Sequence, residues 1–345
     1  MRKINISSVF GLLLLITIYS SIAAGCLQAQ QNDEPWITFT PEQSVSNGLH
    51  VVLISGDEEY RSEEALPMLA KILTTHHGFK TTVLFSTDPE TGEINPDNQN
   101  HIVGMENLQS ADLAIIFLRF RELPDSEMRY FDEFLKAGKP LIGLRTSTHA
   151  FAYQKNPESP YAKYSWNNNE PGWQGGFGRQ ILGETWVDHH GDHGTEGTRG
   201  LVDGIMERMN HPVIRGVSDI WGPTDVYGTR VLEGDPEVLL WGQSTAGMTP
   251  DAPVNWEKSI MPVAWTKSYQ VEGGSEGQVF ATTMGSSVDF ESEDLRRLIV
   301  NATYWLLGKG SEIDGTESVE IVGDYEPTMF GFGDYVKGKY PSDYK

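Results

Sequence analysis

Apolar runs and amphipathic segments alternate between residues 48 and 144. Apolar runs bounded by glycine or turn residues are typical of buried strands, and apolar positions three and four residues apart are typical of helices with one buried face. Strands are predicted at residues 49–55, 80–85, 111–117 and 140–144. Helices are predicted at residues 62–76 and 124–137. This alternation favours βαβ units and a flavodoxin-like, doubly wound, mostly parallel α/β sheet with right-handed crossovers.

The alternation stops between residues 154 and 235, where glycine, tryptophan, asparagine and histidine are frequent. Long loops in compact domains are usually functional when they are ordered. Regular patterns then return, with strands predicted at 237–241, 261–266 and 277–284 and a helix at 291–307. We therefore predict a single α/β domain with long inserted loops, residues 48–310. The aromatic-rich tail, residues 311–345, is predicted to wrap this domain as a strap.

The first residues have the pattern of an export signal. Arg2 and Lys3 precede an apolar stretch, and small residues lead to Cys26. This pattern predicts a signal peptide at residues 1–26, followed by a linker at 27–47. Ala-Ala-Gly before Cys26 resembles a bacterial lipoprotein cleavage site, and ordinary signal cleavage is the alternative. We expect an exported protein, periplasmic or at the cell surface, whose only attachment to a membrane would be a lipid anchor at Cys26.

Charge and cysteine content narrow the function classes. The chain has 26 basic and 48 acidic residues, a formal net charge of −22. Such a surface repels nucleic acid and suits a neutral partner such as a small carbohydrate, although solubility alone also explains it. Cys26 is the only cysteine, so the mature domain has no disulfide, thiolate metal site or cysteine nucleophile. The sequence does not specify an oligomeric state.

The strongest candidate site is the turn that follows the predicted strand 140–144. In open α/β sheets, ligands collect at the carboxyl ends of central strands. Arg145 and the free N–H groups of the turn suit a carboxylate, an enolate or sugar hydroxyls. We predict catalytic roles for Arg145 and His149 and substrate contacts for Thr146 and Ser147. The alternative is a capped helix with Arg145 in a structural ion pair.

The segment from Trp186 to His193 holds three histidines and two aspartates. We predict His189 and His190 as acid/base groups, because imidazole titrates near neutral pH. Asp225 is predicted as a third catalytic group, and a turn aspartate is the alternative. The acid/base interpretation requires no cofactor. A divalent metal site remains the alternative, although the spacing does not match a helical His-Glu-x-x-His motif.

Aromatic and glycine-rich segments suggest a platform for sugar rings. We predict that Trp173, Gly175, Trp186 and Tyr227 contact the substrate, and Trp166 is a further candidate for the platform. Core packing is the alternative for each of these aromatic side chains.

Several segments follow one another in the order seen in the trehalose-utilisation (ThuA-like) family: residues 143–151, 175–177, 186–190, 211–216, 225–227, 261–265 and 277–280. The tail between 327 and 343 resembles the secreted bacterial branch of that family. The resemblance covers about residues 48–343. It implies a class I glutamine amidotransferase-like fold and a role in disaccharide catabolism, especially on 3-keto-sugars made by partner oxidoreductases.

The resemblance also identifies a departure. Amidotransferases carry a cysteine at the position of Arg145, and the ThuA-like family usually carries a histidine there. Amidotransferase chemistry is therefore excluded, and a histidine role would pass to His149, His189 or His190.

Three functions remain open: an enzyme on a neutral sugar or 3-keto-glycoside, a non-catalytic carbohydrate-binding module, and a metal-dependent hydrolase. In the first, a histidine removes a proton beside a carbonyl while Arg145 stabilises the enolate. Convergence of the candidate histidines and Asp225 in one cleft would favour catalysis.

Overall fold

The computed structural model describes residues 34–201, 210–229 and 231–345. The predicted signal peptide and Cys26 lie outside these residues. The strands are β1 (Trp36–Phe39), β2 (His50–Gly56), β3 (Lys80–Phe85), β4 (Leu113–Leu118), β5 (Leu141–Leu144), β6 (Gly197–Leu201), β7 (Ile220–Gly222), β8 (Glu237–Thr245), β9 (Met261–Gln270) and β10 (Glu276–Thr282). The α-helices are α1 (Ser62–Thr75), α2 (Asp125–Lys136) and α3 (Glu293–Leu306).

All ten strands of the described residues join one sheet, in the order β1-β3-β2-β4-β5-β10-β9-β8-β6-β7. The pairings from β3 to β10 in this order are parallel. The remaining pairings are antiparallel. The α/β class is therefore correct, but the sheet is mixed rather than mostly parallel. Only residues 271–275 join β9 to β10, which is too short for a crossover to a parallel neighbour.

The seven predicted strands and three predicted helices are all present. β1, β6 and β7 were not predicted. β1 lies inside the predicted linker, residues 27–47, and pairs with β3. β6 contains two glycines and β7 has three residues, so neither carries a readable alternation of apolar and polar positions.

Apolar side chains cover both faces of the parallel strands. In β2, Val51 and Leu53 join one buried cluster with residues of α1 and α3. Their neighbours Val52 and Ile54 join a second cluster with residues of α2. This explains why β2 reads as a continuous apolar run, since alternate side chains enter opposite layers. No helix among the described residues is both long and apolar enough to cross a membrane.

The tail returns across α1 to the carboxyl ends of the parallel strands. Thr328 donates hydrogen bonds from its N and Oγ1 to Glu64 of α1, at 2.8 and 2.7 Å. The N–H of Gly331 donates to the carbonyl of Glu59 at 2.8 Å. The predicted strap thus passes beside the segment that follows β2.

Candidate active site

The site lies where β2, β4 and β5 end at one edge of the sheet. Within the described residues, four non-glycine residues have positive φ, and three follow these strands: Arg61 (59°), Phe120 (50°) and Arg145 (39°). Such angles cost on the order of 1–3 kcal/mol each and concentrate at functional sites. The positive φ angles therefore occur at the carboxyl ends of the parallel strands, which is also where ligands usually bind in such sheets.

Arg145 is fully buried beneath this edge. Its Nη2 donates to Asp225 Oδ1 at 3.0 Å and to the hydroxyl of Tyr60 at 3.1 Å. Its guanidinium lies 4.1 and 4.4 Å from the ring centres of Tyr60 and Tyr227. Enclosed in this way, Arg145 acts on the site by holding Asp225 and two tyrosines, and does not reach a ligand.

Asp225 joins two histidines. His189 Nδ1 lies 2.6 Å from Asp225 Oδ2, and His193 Nδ1 lies 3.1 Å from Oδ1. Asp225 is fully buried, whereas the side chains of His189 and His193 are 33% and 38% exposed. His193 Nε2 also lies 3.4 Å from Glu59 Oε1. Both imidazoles are thus anchored on a buried carboxylate and open to a ligand.

The local charges move the pKa values of these groups apart. Burial opposes ionisation of Asp225, but hydrogen bonds to His189 and His193 and the charge of Arg145 hold its pKa well below the usual range. The hydrogen bond to Asp225 raises the pKa of His193. Burial, reinforced by the charge of Asp57, raises the pKa of Glu59. Divergent pKa values of this kind are typical of acid/base pairs.

His149 is a different kind of histidine. Burial, with the positive charge of Arg119 as the next cause, lowers its pKa well below the usual value. It is therefore neutral at physiological pH. Its ring centre lies 4.9 Å from that of Phe120 and 5.8 Å from that of Trp186.

These groups enclose a cavity of about 50 Å³, which we call the inner cavity. It is lined by Glu59, Arg119, Phe120, His149, Trp186, His189 and Tyr227. Four of the predicted site residues, His149, Trp186, His189 and Tyr227, thus line one cavity, and Arg145 and Asp225 lie directly behind it.

Other predicted site residues lie elsewhere. His190 Nε2 is 2.8 Å from the carbonyl of Ser259, which turns its ring away from Asp225. Trp173 packs edge-on against Tyr164 at 5.0 Å. Gly175, at φ 74°, forms a turn.

Thr146 and Ser147 are also fully buried and do not line the inner cavity. Thr146 Oγ1 donates to Asp57, and Ser147 Oγ donates to the carbonyl of Ile116 at 2.9 Å. These hydrogen bonds hold the turn after β5 in place. In the structure this turn is a 3₁₀ helix, Arg145–His149.

Glu59, Arg119 and Phe120 were not predicted as site residues, and His193 was noted only as part of the histidine-rich segment. A usable signal exists for the first three, because each follows a parallel strand by a few residues, as Arg145 does. No sequence pattern distinguishes His193 from His190 as the second partner of Asp225.

His189, His193 and Asp225 also form, within the described ranges, a group that fits a metal ion. One ligand atom from each lies within 4.8 Å of the others. Two imidazole nitrogens and a carboxylate oxygen suit Zn²⁺ and other first-row divalent ions.

No protein-family model matches the chain, and no curated protein does. Among solved structures, it is similar to a ThuA-like protein from Parabacteroides merdae, at 14% identity and a TM-score of 0.45, over 82% of this chain and 97% of that one. A ThuA-like protein from Bacteroides uniformis is similar at 15% identity and a TM-score of 0.45, over 78% of this chain and 95% of that one. At these values the family resemblance of the sequence stays a prediction.

Proposed function

We propose that this protein is an enzyme that performs acid/base chemistry on a neutral carbohydrate, removing a proton beside a carbonyl group. One observation carries the proposal: His189, a wall of the inner cavity, has its Nδ1 2.6 Å from the buried carboxylate of Asp225. A carboxylate at Nδ1 fixes the orientation of an imidazole and stabilises its protonated form. Nε2 is then the nitrogen that exchanges a proton with the substrate.

Two further residues of the inner cavity have complementary roles in this proposal. Glu59 retains a proton to higher pH than an ordinary glutamate, because burial raises its pKa, and it serves as the general acid. Arg119, paired with Glu58, supplies the positive charge that stabilises a developing enolate. Arg119 takes the role that the sequence predicted for Arg145, since it lines the cavity and Arg145 does not.

The substrate class rests on the aromatic walls and on the sequence resemblance. Phe120, Trp186 and Tyr227 give the cavity flat apolar surfaces, which suit the C–H groups at one end of a sugar. The resemblance to the ThuA-like family suggests a neutral sugar or 3-keto-glycoside. The strand order β3-β2-β4-β5-β10 supports a flavodoxin-like assignment of the parallel half. In this proposal the protein is exported and needs neither a cofactor nor a nucleic-acid partner.

The test compares neighbouring histidines. Purified wild type, His189→Ala and His190→Ala are incubated with a panel of mono- and disaccharides and their 3-keto forms. We expect wild type and His190→Ala to convert the same substrate, and His189→Ala to be slower by about 10²-fold or more, the usual contribution of a general base. Equal rates for all three proteins would remove His189 from the mechanism, and no conversion by wild type would favour a binding module.

A metal-dependent hydrolase is the second candidate, favoured by the His189, His193 and Asp225 group. A metal on these atoms would replace the hydrogen bonds of Asp225 to the histidines. Elemental analysis and Zn²⁺ titration of wild type and His193→Ala test it. Stoichiometric metal in wild type, lost in the variant, would favour this candidate, and no binding would exclude it.

A further inference from the structure

A second concavity, which we call the outer groove, adjoins the inner cavity. It has a volume of about 370 Å³ and is lined by Gln99, Phe120, Glu122, Ala152, Gln154, Lys155 and Trp166. Phe120 is common to both linings. The two spaces therefore meet at the Phe120 side chain.

The boundary between the two spaces is formed by aromatic side chains. The Phe120 ring centre lies 4.9 Å from that of His149, on the inner side, and 5.7 Å from that of Trp166, on the outer side. Trp166 in turn lies 6.1 Å from Trp186 of the inner cavity. The Arg119 guanidinium, 4.5 Å from the Phe120 ring centre, holds this ring from a further side.

The sizes of the two spaces differ in a way that constrains a ligand. A single water needs about 10–15 Å³ on a comparable measure, so the inner cavity, at about 50 Å³, has room for only a few heavy atoms. Small-molecule sites usually have volumes of roughly 300–1,000 Å³. The outer groove, at about 370 Å³, reaches that range, so it has room for the part of a ligand that the inner cavity does not hold.

Trp166 is a fixed platform for such a ligand. Its backbone N–H donates to the carbonyl of Phe151 at 2.9 Å, and its backbone carbonyl accepts from Thr185 Oγ1 at 3.0 Å. Its side chain is half-buried, so one part of the indole packs on the protein and the rest is available.

The polar part of the groove has one acidic and one basic side chain, Glu122 and Lys155, beside two amides. The carboxylate of Glu122 accepts from the backbone N–H groups of Gln154, Lys155 and Asn156, at 3.0, 2.9 and 2.5 Å. Glu122 therefore orders this loop and is not left to repel a ligand. Beside it, the amides of Gln99 and Gln154 and the ammonium of Lys155 line the groove and suit hydroxyl groups.

We propose that the outer groove is a subsite for a second ring of the substrate, glycosyl or aromatic, joined to a sugar of which only the reacting carbonyl and the adjacent C–H group reach the inner cavity. Trp166 and Phe120 bind the face of this ring, and Gln99, Gln154 and Lys155 bind its polar groups. This inference rests on the proposed function for the identity of the reacting sugar, and it makes Trp166 a specificity-determining residue.

The experiment measures binding separately from turnover, in the His189→Ala background. Methyl β-glucopyranoside provides one ring, cellobiose and maltose provide two sugar rings, and phenyl β-glucopyranoside provides an aromatic second ring. We expect at least one two-ring probe to bind about tenfold more tightly than the methyl glycoside, equivalent to about 1.4 kcal/mol, and Trp166→Ala to abolish that preference. Which probe gains distinguishes a glycosyl from an aromatic subsite.

Two further variants keep the test independent of misfolding. Trp166→Phe retains a flat ring and should keep most of the preference. Trp256→Ala removes an exposed tryptophan outside both linings and should have no effect. Equal binding of one-ring and two-ring probes, or an equal loss for both in Trp166→Ala, would overturn the inference. Failure of the proposed function appears instead as absent turnover in wild type, which leaves this binding ratio unaffected.

Discussion

Arg145 combines a positive φ with a fully buried charge, so its side chain must offset both costs through its partners. Replacing it with methionine would leave the buried Asp225 without its cationic partner. We expect Arg145→Met to lower the free energy of unfolding by about 3–5 kcal/mol, measured by urea denaturation. Arg199→Met is the matched control, because its partner Asp219 is exposed, and should cost less than about 1 kcal/mol. Similar losses in the two variants would contradict a structural role for Arg145.

Glu63 is buried at the start of α1, and neither of its carboxylate oxygens has a hydrogen-bond partner among the described residues. Burial raises its pKa from 4.5 to about 8. Folding therefore favours the protonated form of Glu63. As pH rises from 4.5 to about 8, this residue lowers the free energy of unfolding by up to about 1.4 kcal/mol per pH unit.

Glu63→Gln should remove this pH dependence, so the variant becomes more stable relative to wild type as pH rises towards 8. Denaturation curves at pH 5, 6, 7 and 8 measure the difference. Glu90→Gln, at an exposed loop position, should follow wild type. A constant difference between Glu63→Gln and wild type across this range would contradict the prediction.

Residue types suited to catalysis could be identified from the sequence, but the orientations of their side chains could not. The sequence identified His149, His189, Asp225 and Arg145, which the structure brings together. It could not separate His190 from His193, because the loop turns at Gly191 and brings residues four apart to the same carboxylate. Nor could it show that Arg145 is enclosed by Tyr60 and Tyr227, since these residues come from distant parts of the chain.

Among the elements, the strap has the most direct effect on the site. The Phe330 ring centre lies 5.3 Å from that of Tyr60 and 5.4 Å from that of His193, so the tail covers one side of the catalytic cluster. Two hydrogen bonds from Thr328 to Glu64 contribute to its attachment to α1.

Glu64→Ala should loosen the strap without unfolding the domain. We expect amide hydrogen exchange to increase by about tenfold or more in residues 323–333, because two hydrogen bonds to a charged group are lost. Glu320→Ala, an exposed position in the same tail, is the control. Unchanged exchange in Glu64→Ala would show that the other contacts of the tail, such as the Gly331 hydrogen bond and the packing of Phe330, hold the strap without Glu64.

At the element scale, periodicity predicts what lies in the core. The strands buried on both faces were predicted from their continuous apolar runs. The three helices were predicted from apolar positions three and four residues apart. β1 was missed because it lies in the predicted linker, β6 because it contains two glycines, and β7 because it has only three residues; pairing with a neighbour rather than their own pattern makes them strands. The mixed sheet has a different cause, because the short connection between β9 and β10, residues 271–275, allows only an antiparallel pairing.

For the whole molecule, a net charge of −22 implies self-repulsion in the compact state. We expect the melting temperature to rise by a few degrees as NaCl increases from 10 to 200 mM, because the Debye length falls from about 30 Å to below 10 Å. Calorimetry with an uncharged osmolyte at matched osmolality is the control. A flat or falling melting temperature would show that local ion pairs outweigh the net charge.

The strand order has a consequence for how the molecule forms. β10, near residue 280, lies between β5 and β9 and is the only link between the parallel and antiparallel halves of the described sheet. Its pairing with β5 joins positions such as Leu141 and Val279, far apart in the chain. Such distant pairing slows folding. Until β10 is in place, β5 and β9 remain open edges that invite association between chains. The yield of folded protein should therefore depend on the last third of the chain, which contains β10. The apolar runs near the start of the chain do not indicate this dependence.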